Sequence, residues 1–594
     1  LRAYRSGDMA KWGEHGIELC GRRDNQVKIR GFRVEPEEIE RCLRESQLYR
    51  QIAVVIDPER RILAFLAQPQ TDAARDALKA HAQQFLPDYM QPVAWTELPS
   101  MPFASNGKVD RKALLGLPVS VQDNGPKCLP ANEDEALLLE IWAELLELPT
   151  RDISTDESFF NLGGHSILLS RMLLRLREEF GRSISINRFI EQPTIIKLAT
   201  LVRGTDDSAV LSAQAMADAE RALDIEPLPI SRMGDVHKVI VTGANSFVGV
   251  HIVEALLGWG ASEVACLVRD GGGHTAAQRF AQALRENRLE HLDLSRVRVY
   301  AADITRPQLG LEDDDYQRLD REFGALVHNA ANVNHVLDYE SLAADNVEPI
   351  FELLRLCEGR SKKVFNFVST LSASSTVDDA GRVLELPAAP TPPIYIRNGY
   401  NLSKWVGERI LERARTLGVR VNLYRPGNIS FNSLSGVCQP HKNRLMLMLK
   451  GSIQLGQVPA FALNFDLMPV DFLARFIAFH ASRYSAERAV FNLHNPEPLS
   501  WDAYVASFRD TGSEFSLVSV ADWQQQLGRV DADNALFGVL GFYLNGFEED
   551  IGDISLIGHA NAQAGVQQMG AHYPEKSPAL LRRGCDYLKE INFI

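Results

Sequence analysis

The sequence predicts a multidomain chain: a small α/β piece, an all-helical unit, and a large doubly wound α/β unit with a C-terminal extension. Three observations predict it. The 594 residues are too many for one hydrophobic core. From Lys238 onward, short apolar runs alternate with helical stretches, the pattern of a parallel sheet covered by helices on both faces. Between 131 and 203 the periodicity is helical throughout.

The elements follow in order. Residues 1–118 show short strands at Val27–Ile29, Ile52–Ile56 and Ile62–Leu66, with helices at Glu37–Glu45 and Ala73–Phe85. A polar stretch with Pro and Gly at 119–130 reads as a linker. Within 131–203, Leu138, Ile141, Trp142 and Leu145 share one helical face, and Leu168, Met172, Leu173 and Leu176 share another. Residues 204–236 are rich in Asp, Ser, Ala and Pro, so a second linker is expected there. Apolar runs at Val239–Thr242, Glu263–Val268, Val297–Ala301, Ala325–Asn329, Val364–Ser369 and Val419–Arg425 then predict the strands of a unit spanning 237–594.

Composition narrows the function classes. Hydrophobic residues at 45% and charged residues at 24% are ordinary for a globular protein. A net charge of −14 argues against nucleic acid or an anionic membrane as partner. Seven cysteines, an odd number with no C-x-x-C, offer no zinc framework and suit a reducing cytoplasm. No apolar run has membrane-spanning length, and no signal peptide opens the chain. Leu1 stands in the middle of a motif, so a piece of a longer polypeptide is expected.

Lys238–Gly249 reads K-V-I-V-T-G-A-N-S-F-V-G. A strand runs into Gly243, a loop carries Asn245 and Ser246, and a helix begins near Phe247 and Val248. Backbone N–H groups at such a helix start can hold a pyrophosphate. Gly243 and Gly249 allow the tight turn and close packing. Ser246 stands where a middle glycine is usual, which puts a hydroxyl near the phosphates. The second strand ends in C-L-V-R-D. Arg269 occupies the place where an NAD enzyme carries an acid for the ribose 2′-hydroxyl, and a guanidinium there fits a 2′-phosphate, hence NADPH. Arg279 is a second candidate clamp. Asp303 and Ile304 are positioned for the adenine, and H-N-A-A at 328–331 adds Asn329 and Ala330 to the cofactor set.

Tyr400 and Lys404 stand four residues apart, on one helical face. A phenol has an ordinary pKa near ~10. A neighbouring ammonium and a positive nicotinamide are expected to lower it, making Tyr400 a usable proton donor. Thr370, closing N-F-V-S-T, would offer a hydroxyl to a substrate carbonyl.

These residues resemble the extended short-chain dehydrogenase/reductase superfamily. They are most similar to its thioester reductase branch, the terminal reductase domains of nonribosomal peptide synthetases and α-aminoadipate reductase. V-T-G-A-N-S-F-V-G, C-L-V-R, D-I-T-R-P-Q-L-G-L, H-N-A-A-N-V-N, Y-N-L-S-K and Y-R-P-G-N-I fall in family order over residues 237–480. The resemblance implies a Rossmann-type fold, a catalytic triad of Thr370, Tyr400 and Lys404, and a substrate-binding part mainly at 430–594. F-F-N-L-G-G-H-S-I at 159–167 resembles a peptidyl carrier domain, a four-helix bundle whose Ser166 would bear 4′-phosphopantetheine.

Y-R-S-G-D-M at 4–9, G-R-R-D-N-Q-V-K-I-R-G-F-R-V-E at 21–35 and N-G-K-V-D-R at 106–111 look like the C-terminal subdomain of a synthetase adenylation domain. That resemblance implies Asp8 on the ATP ribose, Asp24 as hinge, and Lys108 on the acyl carboxylate and α-phosphate. The large N-terminal adenylation subdomain is not in the sequence. ATP and magnesium therefore belong to the intact domain, and this chain is not expected to adenylate alone.

The whole implies NADPH-dependent reductive release of an acyl or peptidyl thioester from Ser166 phosphopantetheine, as aldehyde or alcohol. Its implied partners are a phosphopantetheinyl transferase, the missing adenylation subdomain and upstream synthetase domains. The alternatives are a nucleotide-sugar epimerase or dehydrogenase, a non-redox cyclisation domain, and a carrier scaffold with an inactive reductase. The carrier motif argues against the first, and Tyr400 against the second.

Overall fold

The computed structural model describes most of residues 36–117, 127–159 and 194–203, scattered positions between 160 and 193, nearly all of 212–536 and 554–594, and the backbone of short strands between 8 and 34. Asp24, Lys108 and Ser166 lie outside the described residues, as does the side chain of Asp8. Two compact units divide the chain: residues 1–203 with 530–537, and residues 204–529 with 538–594.

In the first unit, β1 (Asp8–Gly13) pairs antiparallel with β2 (Gly16–Arg22), and β3 (Val27–Ile29) with β4 (Phe32–Val34). Helix α1 (Pro36–Glu45) follows, then a three-stranded sheet of β5 (Tyr49–Ile56), β6 (Ile62–Pro69) and β7 (Ala94–Leu98). Helix α2 (Ala74–Phe85) makes the crossover between the parallel pair β6 and β7. Ile39 and Leu43, one turn apart on α1, are buried with Ile52, Val54, Leu66 and Leu78. The unit continues with α3 (Arg111–Leu115), α4 (Glu133–Leu146) and α5 (Ile195–Arg203). Trp142 on α4 meets Phe159 and Phe189 edge-on, at 4.9 and 6.2 Å between ring centres, the geometry aromatic quadrupoles favour. Met172 and Leu176 are fully buried, as their shared face predicts.

The second unit opens earlier than its sequence suggests. Residues 213–236 are not a linker. Helix α6 (Ala213–Glu220) is capped by Ser212, and Ala215 and Ala219 are fully buried in the core of the large unit. Asp218 Oδ2 accepts the Tyr339 hydroxyl at 2.7 Å, and Arg221 makes a two-pronged contact with Glu348 at 2.7 and 3.0 Å. Alanines that read as linker composition are small enough to let this helix lie close against its neighbours. The first strand then begins at Asp235, two residues ahead of the expected boundary.

Seven parallel strands form the main sheet: β8 (Asp235–Thr242), β9 (Glu263–Val268), β10 (Val297–Ala301), β11 (Phe323–His328), β12 (Val364–Val368), β13 (Arg420–Pro426) and β14 (Val490–Leu493). Their order is β10-β9-β8-β11-β12-β13-β14. All residues of β11 and β12 are buried, as strands covered on both faces must be. One face is covered by α7 (Phe247–Gly258) and α8 (Ala276–Glu286), whose Val250, Val253, Phe280 and Leu284 join one core. The other carries α9 (Asp313–Glu322), α10 (Tyr339–Asn346), α11 (Glu348–Cys357) and α12 (Gly399–Leu417), with Leu319, Ile350, Leu354, Val406 and Ile410 in a second core. After β13 in the chain come α13 (Arg444–Gln454), α14 (Val470–Ala481), α15 (Trp501–Arg509), α16 (Ala560–Gln568) and α17 (Pro578–Glu590). The strand order reverses between β8 and β11, and ligands of such sheets bind in the crevice that this reversal opens. The apolar runs of the sequence do not mark β14: V-F-N-L is too short to stand out from its surroundings.

Candidate functional site

The loop after β8 opens on that crevice. Gly243 has φ +63°, and a Cβ there would lie 2.8 Å from Ala330 Cα. A Cβ on Gly249 would lie 2.2 Å from the Gly243 carbonyl oxygen. Both positions require glycine, one for its backbone conformation and one for the approach of helix to loop. Thr242 Oγ1 accepts the N–H groups of Asn329 and Ala330 at 3.2 and 3.1 Å, joining the ends of β8 and β11. Asn329 Nδ2 donates to Gly243 O at 3.2 Å and to Ser246 Oγ at 2.9 Å. Ser246 has a structural task as well. It is the N-cap of α7, its Oγ accepting Gly249 N–H at 3.0 Å, and that satisfies a donor which would otherwise lack a partner.

Arg269 is exposed just past the end of β9. Arg279 Nη1 donates to the Arg269 carbonyl, so Arg279 braces the backbone that presents Arg269. Asp303 follows β10; burial would raise its pKa, but the Thr305 hydroxyl and N–H, Arg269 and Arg306 outweigh that and hold it below the usual range. Ile304 is half-buried and lines a cavity of about 410 Å³ with Leu223, Ile225 and Phe351. The glycine cradle, the helix start and the exposed guanidinium fit a dinucleotide.

The second half of the site sits at the ends of β12 and α12. Thr370 is half-buried, in extended backbone, with Oγ1 accepting Ser372 N–H at 3.3 Å. Helix α12 starts on the Asn398 cap, whose Oδ1 accepts Asn401 N–H at 2.7 Å. Lys404 Nζ lies 5.9 Å from the Tyr400 ring centre and donates to Val368 O at 2.8 Å. The lysine thus ties the helix bearing Tyr400 to the strand leading to Thr370. Burial lowers the Lys404 pKa to about 8, with Glu408 pulling the other way.

Tyr400 departs from expectation. Burial pushes its pKa up to about 12, the opposite direction to the lowering expected from its neighbours. His328, bonded through Nδ1 to Thr242 at 2.8 Å, is held near 3 by burial and by Lys404, so it stays neutral.

Two groups escaped the sequence reading. Glu408, one turn beyond Lys404, accepts Ser369 Oγ at 2.5 Å and pairs with Arg425 at 2.6 Å, both partners being 0% exposed. The spacing Tyr400, Lys404, Glu408 on one face was the available signal. Asn346 Nδ2 donates to Ser403 Oγ at 3.0 Å, and that hydroxyl donates to Tyr400 O at 2.7 Å. Nothing local marks Asn346.

Comparison with known proteins agrees with this geometry. Residues 241–477 match the NAD-binding family described as male sterility protein. Residues 136–202 match the phosphopantetheine attachment site family. In sequence order, the match to the phosphopantetheine attachment site family precedes the match to the NAD-binding family. It is similar to a protein of the linear gramicidin synthase of Brevibacillus parabrevis, 28% identical over 99% of this chain and 12% of that protein. It is likewise similar to an isonitrile lipopeptide synthase of Streptomyces coeruleorubidus, 31% identical over 91% of this chain and 39% of that protein. The chain spans less than half the length of either relative. Among solved structures, the terminal R domain from the myxalamid PKS-NRPS pathway matches with a TM-score of 0.54 and 26% identity, over 66% of this chain and 98% of that one. No helix among the described residues is long and apolar enough to cross a membrane.

Proposed function

We propose that this chain releases an acyl or peptidyl group from its own carrier domain by reducing the thioester, with NADPH as donor. One observation supports the reading: Tyr400 and Lys404 on α12 are tied to the carboxyl end of β12, which leads to Thr370, and the glycine loop follows the carboxyl end of β8 in the same parallel sheet, in a chain whose match to the phosphopantetheine family lies ahead of them in sequence. Gly243, Asn245, Ser246, Phe247, Val248, Gly249, Asn329 and Ala330 would hold the pyrophosphate side of the cofactor, Arg269 the 2′-phosphate, and Asp303 and Ile304 the adenine. The bound nicotinamide supplies hydride to the thioester carbonyl.

The remaining work falls to side chains of this chain. Thr370 and Tyr400 donate hydrogen bonds to the carbonyl oxygen, which gains charge as it is attacked. A neutral phenol with a pKa raised to about 12 is a proton donor across the physiological range, and Tyr400 delivers its proton to that oxygen. The carbon–sulfur bond then breaks as the hydroxyl re-forms a carbonyl and its proton passes to the leaving thiolate, so that an aldehyde and a free thiol result. Lys404, bridging α12 and β12, fixes where the phenol stands. Residues 430–594 form the substrate side.

Ser166 carries the phosphopantetheine. Two residues earlier, Gly164 N–H donates to Phe159 O at 2.9 Å, and a Cβ on Gly164 would lie 2.3 Å from the Phe159 ring. Only glycine lets the backbone at 164 pack this closely. Tethering raises local substrate concentration, so weak intrinsic affinity suffices. Upstream synthetase domains, an adenylation partner and a phosphopantetheinyl transferase would load the carrier.

The test is single-turnover NADPH consumption by acyl-loaded protein, with mass spectrometry of the product. Ser166→Ala is expected to abolish loading and to leave reduction of a soluble acyl-thioester mimic intact. No NADPH oxidation by the loaded wild type would refute the reading.

A further inference from the structure

Glu385 lies in the segment between β12 and α12, apart from the groups assigned to cofactor and carbonyl. Its carboxylate is a junction. Oε1 accepts the N–H of Asn492 on β14 and of Ala562 in the first turn of α16, both at 2.9 Å, and Oε2 accepts the N–H of Asn561. Helix α16 has no cap from its own N-cap residue, His559. The carboxylate that satisfies its first turn comes instead from far back in the chain, and an anion is favoured at a helix start.

The flanking residues face the opposite way. The carbonyls of Leu384 and Leu386 accept Arg425 Nη1 and Nη2 at 3.3 and 3.0 Å. Arg425 pairs with Glu408, and Glu408 holds the hydroxyl of Ser369, the residue before Thr370. Three consecutive residues therefore join β14 and α16 to the strand end and helix that carry Thr370, Tyr400 and Lys404. A staple serving stability alone could sit anywhere along these elements, whereas this one ends on the hydrogen-bond network of the reacting groups.

We propose that Glu385 is a positioning residue for thioester reduction, holding β14 and the start of α16 in register with the strand end that bears Thr370. This rests on the reductase reading. Burial raises the Glu385 carboxyl to about 7, against the pull of three backbone N–H groups and of Arg425. Arg425 on β13, paired with Glu408, and Tyr573 of the C-terminal segment interact with it, and His559, the N-cap of α16, is the titratable group at the helix start it holds. Protonation replaces an acceptor by a donor and opposes the N–H groups it faces. The register should loosen as pH falls through about 7.

The experiment compares wild type with Glu385→Gln in reduction of a soluble acyl-thioester, across pH, with NADPH affinity and thermal midpoint measured alongside. The amide keeps the side chain's size but turns one acceptor into a donor. We expect kcat/KM for the thioester to fall about ten- to a hundredfold, the cost of a small misplacement. NADPH affinity should be unchanged, and the acid-side fall near pH 7 seen in wild type should be absent from the variant. If Glu385→Gln does not fold, Glu385→Asp carries the same comparison: it keeps the charge, shortens the reach, and should lose less in the same parameter.

Equal activity in variant and wild type, or an acid-side fall that persists in the variant, overturns the inference and leaves the reductase reading standing. A wild type that reduces no thioester overturns both.

Discussion

Replacing Gly249 by alanine tests the cofactor loop most directly. The new Cβ would stand 2.2 Å from Gly243 O and 2.9 Å from Ala244 Cα. Both are backbone atoms, so no side chain can swing aside. A relaxed carbon–oxygen contact needs roughly 3.3 Å, so α7 must retreat from the loop by about 1 Å. Overpacking of this kind costs about 1–3 kcal/mol of stability. The same movement carries the N–H groups at the helix start out of reach of a pyrophosphate. Each charge-assisted hydrogen bond lost costs about 1.5–3 kcal/mol, so NADPH affinity should fall about a hundredfold.

Gly258 is the control. It lies at the end of the same helix, and a Cβ there meets nothing within 4 Å. Gly258→Ala should bind NADPH normally and gain up to about 1 kcal/mol from helix propensity. Fluorescence titration with NADPH and thermal melts of both variants decide the matter. A Gly249→Ala protein that binds within about threefold of wild type, well under 1 kcal/mol of change, would refute the packing argument and the loop assignment together.

Further predictions concern the groups around the crevice. Tyr400→Phe should keep NADPH affinity and lose about 10²–10⁴-fold in single-turnover reduction; full activity would remove Tyr400 from its role. Arg269→Ala should weaken NADPH by about 1.5–3 kcal/mol while leaving NADH unaffected, and an equal loss for both cofactors would exclude a 2′-phosphate contact. Glu408→Gln strands a buried Arg425 and should cost about 3–5 kcal/mol in urea unfolding. The double change Glu408→Leu with Arg425→Met should recover much of that, and a double variant no better than the single would contradict the pairing argument.

Lys404 makes stability depend on pH. Its folded pKa of about 8 lies below the ordinary 10.5, so between those values the unfolded chain binds more protons and stability rises with pH. Above about 10 the raised Tyr400 opposes this, because folded protein keeps a phenol proton that the unfolded chain loses. Lys404→Met should flatten the rise between pH 8 and 10 in denaturant melts.

The sequence by itself determined the elements and motifs whose cause is local. Strand–turn–helix alternation depends on neighbours a few residues apart, and so does the positive φ that demands glycine at 243. The four-residue spacing of Tyr400 and Lys404 places them on one face through the pitch of a helix alone. Strands Glu263–Val268 and Val297–Ala301 have the bounds their apolar runs mark. Tertiary structure alone decided the rest. Whether 213–220 is linker or core depends on what its alanines meet, and that is α12, nearly two hundred residues further along. That Ser246 caps α7 and also accepts Asn329 depends on the fold bringing the ends of β8 and β11 together. The direction of the Tyr400 pKa depends on how deeply the folded chain buries the phenol, and the reach of Glu385 to Asn492 and Asn561 spans 107 and 176 residues. Local propensity carries no record of contacts at such separations. They exist only once the chain has collapsed, when burial and the pairing of polar groups settle which side chains meet.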